Sequence, residues 1–368
     1  MNIAILSMQK VINYGSVLQA YSLKRMIEEI TNEKVYFIDI DNSDKLLVSG
    51  TVSTVEDYSK NGYSLKNAPW LVPRKLINKI KKNNYTKKIK EFQCKELDLQ
   101  EKYNRQTYDL VFVGSDEVFV ASKYICMQLY GKINNAKAIV SYAAAAGMAQ
   151  FNNISNDDIP VVRNSLKNFR FMSVRDDHTK EYISNIYDGD IEKHVDPVLV
   201  GNLRKRVHKR IEQGPYMIVY AYAERISNFE EIKAIRKFAK KNGLKIICIG
   251  GQQLWADEFV ALSPFDMLDY FRYTEYVITD TFHGIVFSMI NHSKFAVLQR
   301  KSNEFKIQGV LKAFNLTQRF VSNLDDLEII LNADIDYETV DFRLDEERKR
   351  SKEYLENCIL ACSKGGEL

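Results

Sequence analysis

Residues 2–30 read NIAILSMQKVINYGSVLQAYSLKRMIEEI. The stretch opens with a short run that is apolar on both faces, the pattern of a strand covered on both sides. From residue 17 onward the apolar positions Leu18, Leu23, Met26 and Ile30 recur at helical spacing. Between them stands Asn13-Tyr14-Gly15-Ser16, a turn signal. Strand, turn and helix in that order make the opening unit of an α/β fold. The unit repeats along the chain. Further strands are expected at 35–40, 110–113, 138–142 and 171–174, and later at 216–221, 245–249, 276–278 and 295–298, with helical stretches such as 230–241 and 264–271 between them. Short runs of this kind suit parallel sheets flanked by helices.

The chain has 368 residues, and at about 150 residues per domain that length predicts two domains. The break falls at 204–215, which is rich in Arg, Lys and His and ends in Gln213-Gly214-Pro215. The expected units are therefore an N-terminal domain over 1–205, a C-terminal domain over 215–345 and a charged C-terminal helix over 346–368.

Composition narrows the function classes. Lys and Arg number 52 and Asp and Glu 48, a net charge of +4, which gives no ground for a dedicated polyanion binder. With 45% hydrophobic and 27% charged residues the chain reads as globular rather than disordered. No run approaches the ~20 apolar residues of a membrane span. The N-terminal run lacks a basic leader and a cleavage site, so it reads as a strand and not as a signal peptide. Five cysteines, an odd number, do not form a disulfide framework. Cys248 reads as core, and Cys358 and Cys362 as packed thiols on a helix with no zinc-ligand pattern. A reducing cytoplasm is the expected compartment. Residues 74–90 carry Arg74, Lys75, Lys79, Lys81, Lys82, Lys87, Lys88 and Lys90 interleaved with Leu76, Ile77, Ile80 and Ile89. This is first a solvated helix face. The sharper alternative is a patch for peripheral contact with an anionic membrane.

In open parallel sheets, ligands bind beyond the carboxyl ends of the strands. Asn13-Tyr14-Gly15-Ser16 follows the first strand, and Gly114-Ser115-Asp116-Glu117 follows the one at 110–113. Arg175-Asp176-Asp177, Gly250-Gly251-Gln252 and Thr279-Asp280-Thr281-Phe282-His283-Gly284 follow three others. Each has a bland reading as a turn or helix cap. His283 is more pointed. It lies at a strand-to-helix junction, where free N–H groups favour an anion and a histidine can give a proton. His178, His194, His208 and His292 are scattered without ligand spacing and read as structural or surface residues.

Seven segments in this order resemble the polysaccharide pyruvyl transferase family. They are Asn13-Tyr14-Gly15-Ser16-Val17-Leu18-Gln19-Ala20-Tyr21, Val113-Gly114-Ser115-Asp116-Glu117-Val118-Phe119, and Ser141-Tyr142-Ala143-Ala144-Ala145-Ala146-Gly147. The others are Ser173-Val174-Arg175-Asp176, Val195-Asp196-Pro197, Ser263-Pro264-Phe265-Asp266-Met267-Leu268, and Thr279 through Gly284 followed by Phe287-Ser288. The similarity runs from about residue 10 to about residue 320. Two departures fall in the first domain: the family usually has Gln where Glu117 stands, followed by Val-Trp-Asn, and Ser where Ala145 stands.

The resemblance implies two Rossmann-like domains facing across a cleft, similar to the GT-B glycosyltransferases. It implies transfer of a pyruvyl group from phosphoenolpyruvate, a co-substrate, onto two hydroxyls of a sugar or lipid-linked oligosaccharide, with release of phosphate. It makes His283 the catalytic acid. Arg175 and Lys306 become donor-binding cations, with Arg300 and Lys301 competing for the place of Lys306, and Thr281, Phe282 and Gly284 are donor-binding residues beside them. Asn13, Tyr14, Gly15, Ser115, Asp116 and Glu117 fall on the acceptor side. Asp280 or Asp116 would serve the sugar hydroxyls. No cofactor, metal or nucleic acid is called for. The alternative on the same architecture is a glycosyltransferase using a sugar nucleotide, with Asp257 or Glu258 at the ribose.

Overall fold

The computed structural model describes residues 1–48, 71–205, 209, 214–300 and 304–363, the side chains of 71–79 and 205 excepted. The expected break at 204–215, with His208, lies largely outside the described residues, as does Lys301.

The first lobe runs β1 (Ile3–Leu6), α1 (Tyr14–Thr31), β2 (Val35–Phe37), β3 (Lys45–Leu47), α2 (Leu71–Phe92), β4 (Leu110–Asp116), β5 (Tyr124–Cys126), β6 (Ile139–Ala144), α3 (Ile159–Leu166), β7 (Phe169–Val174), α4 (Asp177–Ser184), β8 (Ile191–Lys193) and α5 (Pro197–Val200). Its sheet has the order β2-β1-β4-β6-β7-β8, all parallel, while β3 and β5 pair as a separate antiparallel ribbon.

The second lobe runs β9 (Tyr216–Ala221), α6 (Phe229–Lys241), β10 (Lys245–Gly250), β11 (Glu258–Phe259), α7 (Pro264–Tyr273), β12 (Tyr276–Thr279), α8 (Phe282–Asn291), β13 (Lys294–Leu298), α9 (Glu304–Ala313), β14 (Phe320–Val321) and α10 (Leu327–Asn332). Its parallel sheet has the order β11-β10-β9-β12-β13-β14. Read within each lobe, these are the two common doubly wound orders. Each reverses direction once, between β1 and β4 and between β9 and β12, and such switch points are where open sheets hold ligands.

The central strands are buried along their length because both faces carry helices: β1, β6 and β9 are buried at every residue. An apolar seam joins the lobes. Tyr21 and Phe92 of the first pack on Phe265 of the second, with ring centroids 5.3 and 5.0 Å apart. Cys248 and Cys358 are buried free thiols.

Two expectations change. The C-terminal helix α11 (Tyr337–Ser363) starts nine residues before the expected boundary at 346 and returns to the first lobe. There Tyr354 donates to Ser141 O at 2.8 Å and Arg350 to Lys193 O at 3.2 Å. Its apolar positions Leu344, Leu355 and Cys358 find their cover there. In the basic stretch, Arg74, Lys75, Leu76, Ile77 and Lys79 have side chains outside the described residues. Of the rest, Ile89 is fully buried and Tyr85 packs on Tyr14, so Ile89 serves the core and not a membrane-facing side. Lys81 is tied to Glu258 at 2.8 Å, and Lys82, Lys87 and Lys90 remain exposed. Among the described residues no helix is long and apolar enough to cross a membrane.

Candidate active site

The turn after β1 is built from three residues with three different tasks. Asn13 caps α1 by accepting from Gly15 N–H at 2.7 Å. Tyr14 turns into the seam between the lobes, where its hydroxyl donates to Leu262 O at 2.9 Å and accepts from Leu262 N–H at 3.1 Å. Gly15 lies directly against His283 of the other lobe. A Cβ on Gly15 would stand 2.2 Å from His283 Nδ1, so no other residue fits without moving that ring. Ser16 then donates to Asp116 Oδ2 at 2.7 Å, linking this turn to the end of β4.

His283 lies in the first turn of α8. Thr281 caps that helix by accepting from Gly284 N–H at 3.0 Å, which leaves the N–H groups of the first turn directed out of the helix end. The imidazole packs between Phe282 and Phe287, and its Nε2 faces Asp196 Oδ2 at 3.5 Å. Arg175, at the end of β7, donates to the same oxygen at 3.1 Å, and its guanidinium lies over the Phe282 ring at 4.4 Å. Asp196 is fully buried, and its second oxygen accepts from Val198 N–H at 3.0 Å, capping α5. Burial alone pushes its carboxyl up. The hydrogen bond and charge of His283, the charge of Arg175 and the Val198 N–H outweigh that and hold it below the ordinary carboxylate range. One buried carboxylate thus fixes a cation from the first lobe and a histidine from the second.

Lys306, in the first turn of α9, donates across the cleft to Glu117 Oε1. Burial acts to raise the Glu117 carboxyl, but the neighbouring Lys306, Arg175 and His283 together lower it. Arg300 is turned elsewhere. It grips Glu231 with two bonds of 2.8 Å and donates to Asp280 at 3.1 Å. Asp280 is fully buried, also within 3.3 Å of Arg225 Nε. Its carboxyl is raised, chiefly by burial, with Glu231 adding to the rise and Arg225 and Arg300 opposing it. Asp280 does not face the cleft, so it cannot meet a sugar hydroxyl as expected from the sequence.

The strand ends of both sheets meet over a cleft of about 270 Å³. Of the residues singled out from the sequence, Asn13, Asp116, Glu117, Arg175, Thr281, Phe282, His283 and Lys306 line it. Tyr14, Gly15, Ser115 and Gly284 do not. Ser115 is buried, and Gly284 packs so closely on Thr279 that a Cβ would meet its Oγ1 at 2.0 Å. Arg225 and Tyr222 also line the cleft and were missed. Both sit in the loop after β9, which carries no motif. Asp196 stands in Val195-Asp196-Pro197, whose Asp-Pro step is a helix-start signal and says nothing of its partners. Of the other histidines, the three described ones have structural places. His178 bonds Ala149 O and stacks on Phe305, His194 is buried beside Tyr354, and His292 pairs with Asp341. Asp257 accepts from Ile246 N–H, Glu258 is bound by Lys81 and Lys245, and neither lines the cleft.

The family model of polysaccharide pyruvyl transferases matches residues 13–302. That span holds Asn13, Arg175, Asp196 and His283, and ends four residues before Lys306. Among solved structures, the chain is similar to the UDP-GlcNAc 2-epimerase of Methanocaldococcus jannaschii at 11% identity and TM-score 0.47, over 98% of this chain and 99% of that one. It is similar to another UDP-N-acetylglucosamine 2-epimerase at 12% and 0.49, over 100% and 98%. The T4 phage BGT solved with UDP-glucose follows at 13% and 0.41, over 99% and 100%. No curated protein matches the chain.

Proposed function

The chain belongs to the polysaccharide pyruvyl transferase family, and from that premise we propose that it moves the pyruvyl group of phosphoenolpyruvate onto two hydroxyls of a sugar, releasing inorganic phosphate. The observation that carries this reading is the convergence of Arg175, His283 and Lys306, from both lobes, on one cleft. Phosphoenolpyruvate bears a phosphate and a carboxylate, and such a ligand calls for several cations. Arg175 can hold one oxyanion with its guanidinium fork, Lys306 and Arg225 supply further charge, and the N-terminus of α8 adds N–H donors.

The chemistry proceeds through two additions at C2. A proton delivered to the methylene carbon makes C2 electrophilic, and the first sugar hydroxyl adds there as it loses its proton. Phosphate then departs with its bridging oxygen, and the second hydroxyl adds to the same carbon as it gives its proton to the departing phosphate, closing the ketal. His283 is the proposed acid. Its Nε2 faces Asp196 and its Nδ1 packs against Gly15, which hold the ring in place at the cleft. Asp116, facing the cleft and held by Ser16, is the proposed acceptor of a hydroxyl proton.

Phosphorus NMR of the protein with phosphoenolpyruvate and a panel of simple glycosides tests this. Inorganic phosphate should appear only when a suitable glycoside is present. Release of a nucleoside diphosphate from a sugar nucleotide, with phosphoenolpyruvate left intact, would replace this reading with the glycosyltransferase alternative.

A further inference from the structure

Lys306 does not meet the cleft as a bare cation. Its ammonium is bonded to Glu117, which stands on the opposite lobe directly after β4. The other oxygen of Glu117 lies over Gly147, where a Cβ would come within 3.0 Å of it, so the carboxylate has a defined seat. It also lies within the electrostatic reach of Arg175 and His283. A fixed carboxylate therefore sits among the three groups assigned above to an anionic donor. The pair is unevenly covered: the Lys306 side chain is 12% exposed and that of Glu117 41%. Glu117 can consequently swing toward water when released, without leaving a stranded buried charge. Lys306 has less access to water and needs an anionic partner in place of the one it loses.

We propose that Glu117 is a built-in competing anion: it occupies Lys306 until a carboxylate or phosphate of the donor takes its place, and so it sets the affinity and selectivity of the cleft for its donor. This rests on the reading of the cleft as a phosphoenolpyruvate site. A ligand with two anionic groups can anchor one on Arg175 and use the other to displace Glu117. Inorganic phosphate, a single compact group, lacks that second hold and competes poorly. The exchange replaces one carboxylate–ammonium bond by another and leaves the net number of such bonds unchanged.

Calorimetric titration of the full chain with phosphoenolpyruvate and, separately, with inorganic phosphate decides the matter. Glu117→Gln keeps the shape and removes the charge. It should tighten phosphoenolpyruvate binding by about tenfold or more, the usual weight of a charge-assisted hydrogen bond, and should tighten inorganic phosphate by no more than that, because only a ligand that displaces Glu117 recovers the full cost of displacing it. In a Lys306→Met background the same change should gain less than about threefold, because the contested cation is gone. Binding by Glu117→Gln that equals or falls below the wild type overturns the proposal and makes Glu117 a residue that aims Lys306. Should Lys306→Met fail to fold, the single Glu117→Gln variant still decides the sign. If the wild type binds phosphoenolpyruvate and Glu117→Gln binds it no better, only this inference fails. If neither binds it, the reading of the cleft fails as well.

Discussion

Asp196 and Asp280 are both fully buried, both stand beside a strand end or a helix cap, and each lies between two basic side chains. Their carboxyls nevertheless move in opposite directions, Asp196 down and Asp280 up. The difference lies in the company each keeps. Asp196 has a backbone N–H and the His283 imidazole in addition to Arg175. Asp280 shares Arg300 with Glu231, so part of the positive charge is already claimed. The first network ends in groups that open on the cleft. The second is largely closed upon itself and, among the described residues, sends Arg225 to the cleft wall. Buried carboxylates of equal depth thus hold two different sets of partners: Asp196 holds Arg175 and His283 at the cleft, and Asp280 holds Arg225 and Arg300.

Turnover should separate the two networks most strongly. His283→Ala should lower phosphate release by about 10²- to 10⁴-fold, the worth of a general acid, and Gly15→Ala should approach that loss by displacing the same ring. Arg300→Met, in the second network, should leave turnover within about tenfold. A large loss of turnover in well-folded Arg300→Met would dissolve the distinction.

Stability should report on the second network directly. Removing Arg300 strips a buried partner from Asp280 and Glu231 and should cost about 3–5 kcal/mol in denaturant unfolding. Donor affinity sharpens the contrast from the first side. Arg175→Ala should weaken phosphoenolpyruvate binding by about 10- to 150-fold, from loss of a charge-assisted contact of roughly 1.5–3 kcal/mol, whereas Arg300→Met should shift it by no more than a few fold.

The smallest expected effects are in the pH dependence of stability, and they have opposite signs. The folded-state pKa of Asp196 lies below its unfolded value. Its contribution is complete above that unfolded value and is lost as pH falls through the folded one. The folded-state pKa of Asp280 lies above its unfolded value, so stability declines as pH rises between the two. For either carboxyl, a tenfold difference in acidity between the folded and unfolded chain corresponds to about 1.4 kcal/mol. Thermal unfolding across acid pH should therefore show Asp196→Asn flattening the acid-side loss and Asp280→Asn removing the opposing slope. Slopes of the same sign in both would contradict the assignment of the two environments.

What the sequence could disclose follows from where each signal resides. The strand Tyr216–Ala221 was legible to the residue because helices on both sides demand an unbroken apolar run. The strand Ile191–Lys193 was not, since it lies at a sheet edge with two of its three residues exposed, and two-residue strands such as Glu258–Phe259 carry no period at all. The first helix was expected from residue 17 but begins at Tyr14, because Gly15-Ser16 reads as a turn locally and is held helical by the Asn13 cap. In the site, His283 stands out in the sequence by its strand-to-helix junction and Arg175 by following a strand end, whereas the donor-binding places of Arg175 and Lys306 come through resemblance to a family. Arg225 and the bridging place of Asp196 were not legible, because each is defined by partners far away in the chain.

Whether the cleft between the lobes takes phosphoenolpyruvate is decided most directly by one titration. The wild-type chain and Arg175→Ala are each titrated with phosphoenolpyruvate and with a uridine diphosphate sugar, with folding of both verified by thermal unfolding. One phosphoenolpyruvate should bind per wild-type chain, binding should weaken at least tenfold in Arg175→Ala, and the nucleotide sugar should not bind. Binding of the nucleotide sugar with none of phosphoenolpyruvate would contradict this reading of the cleft.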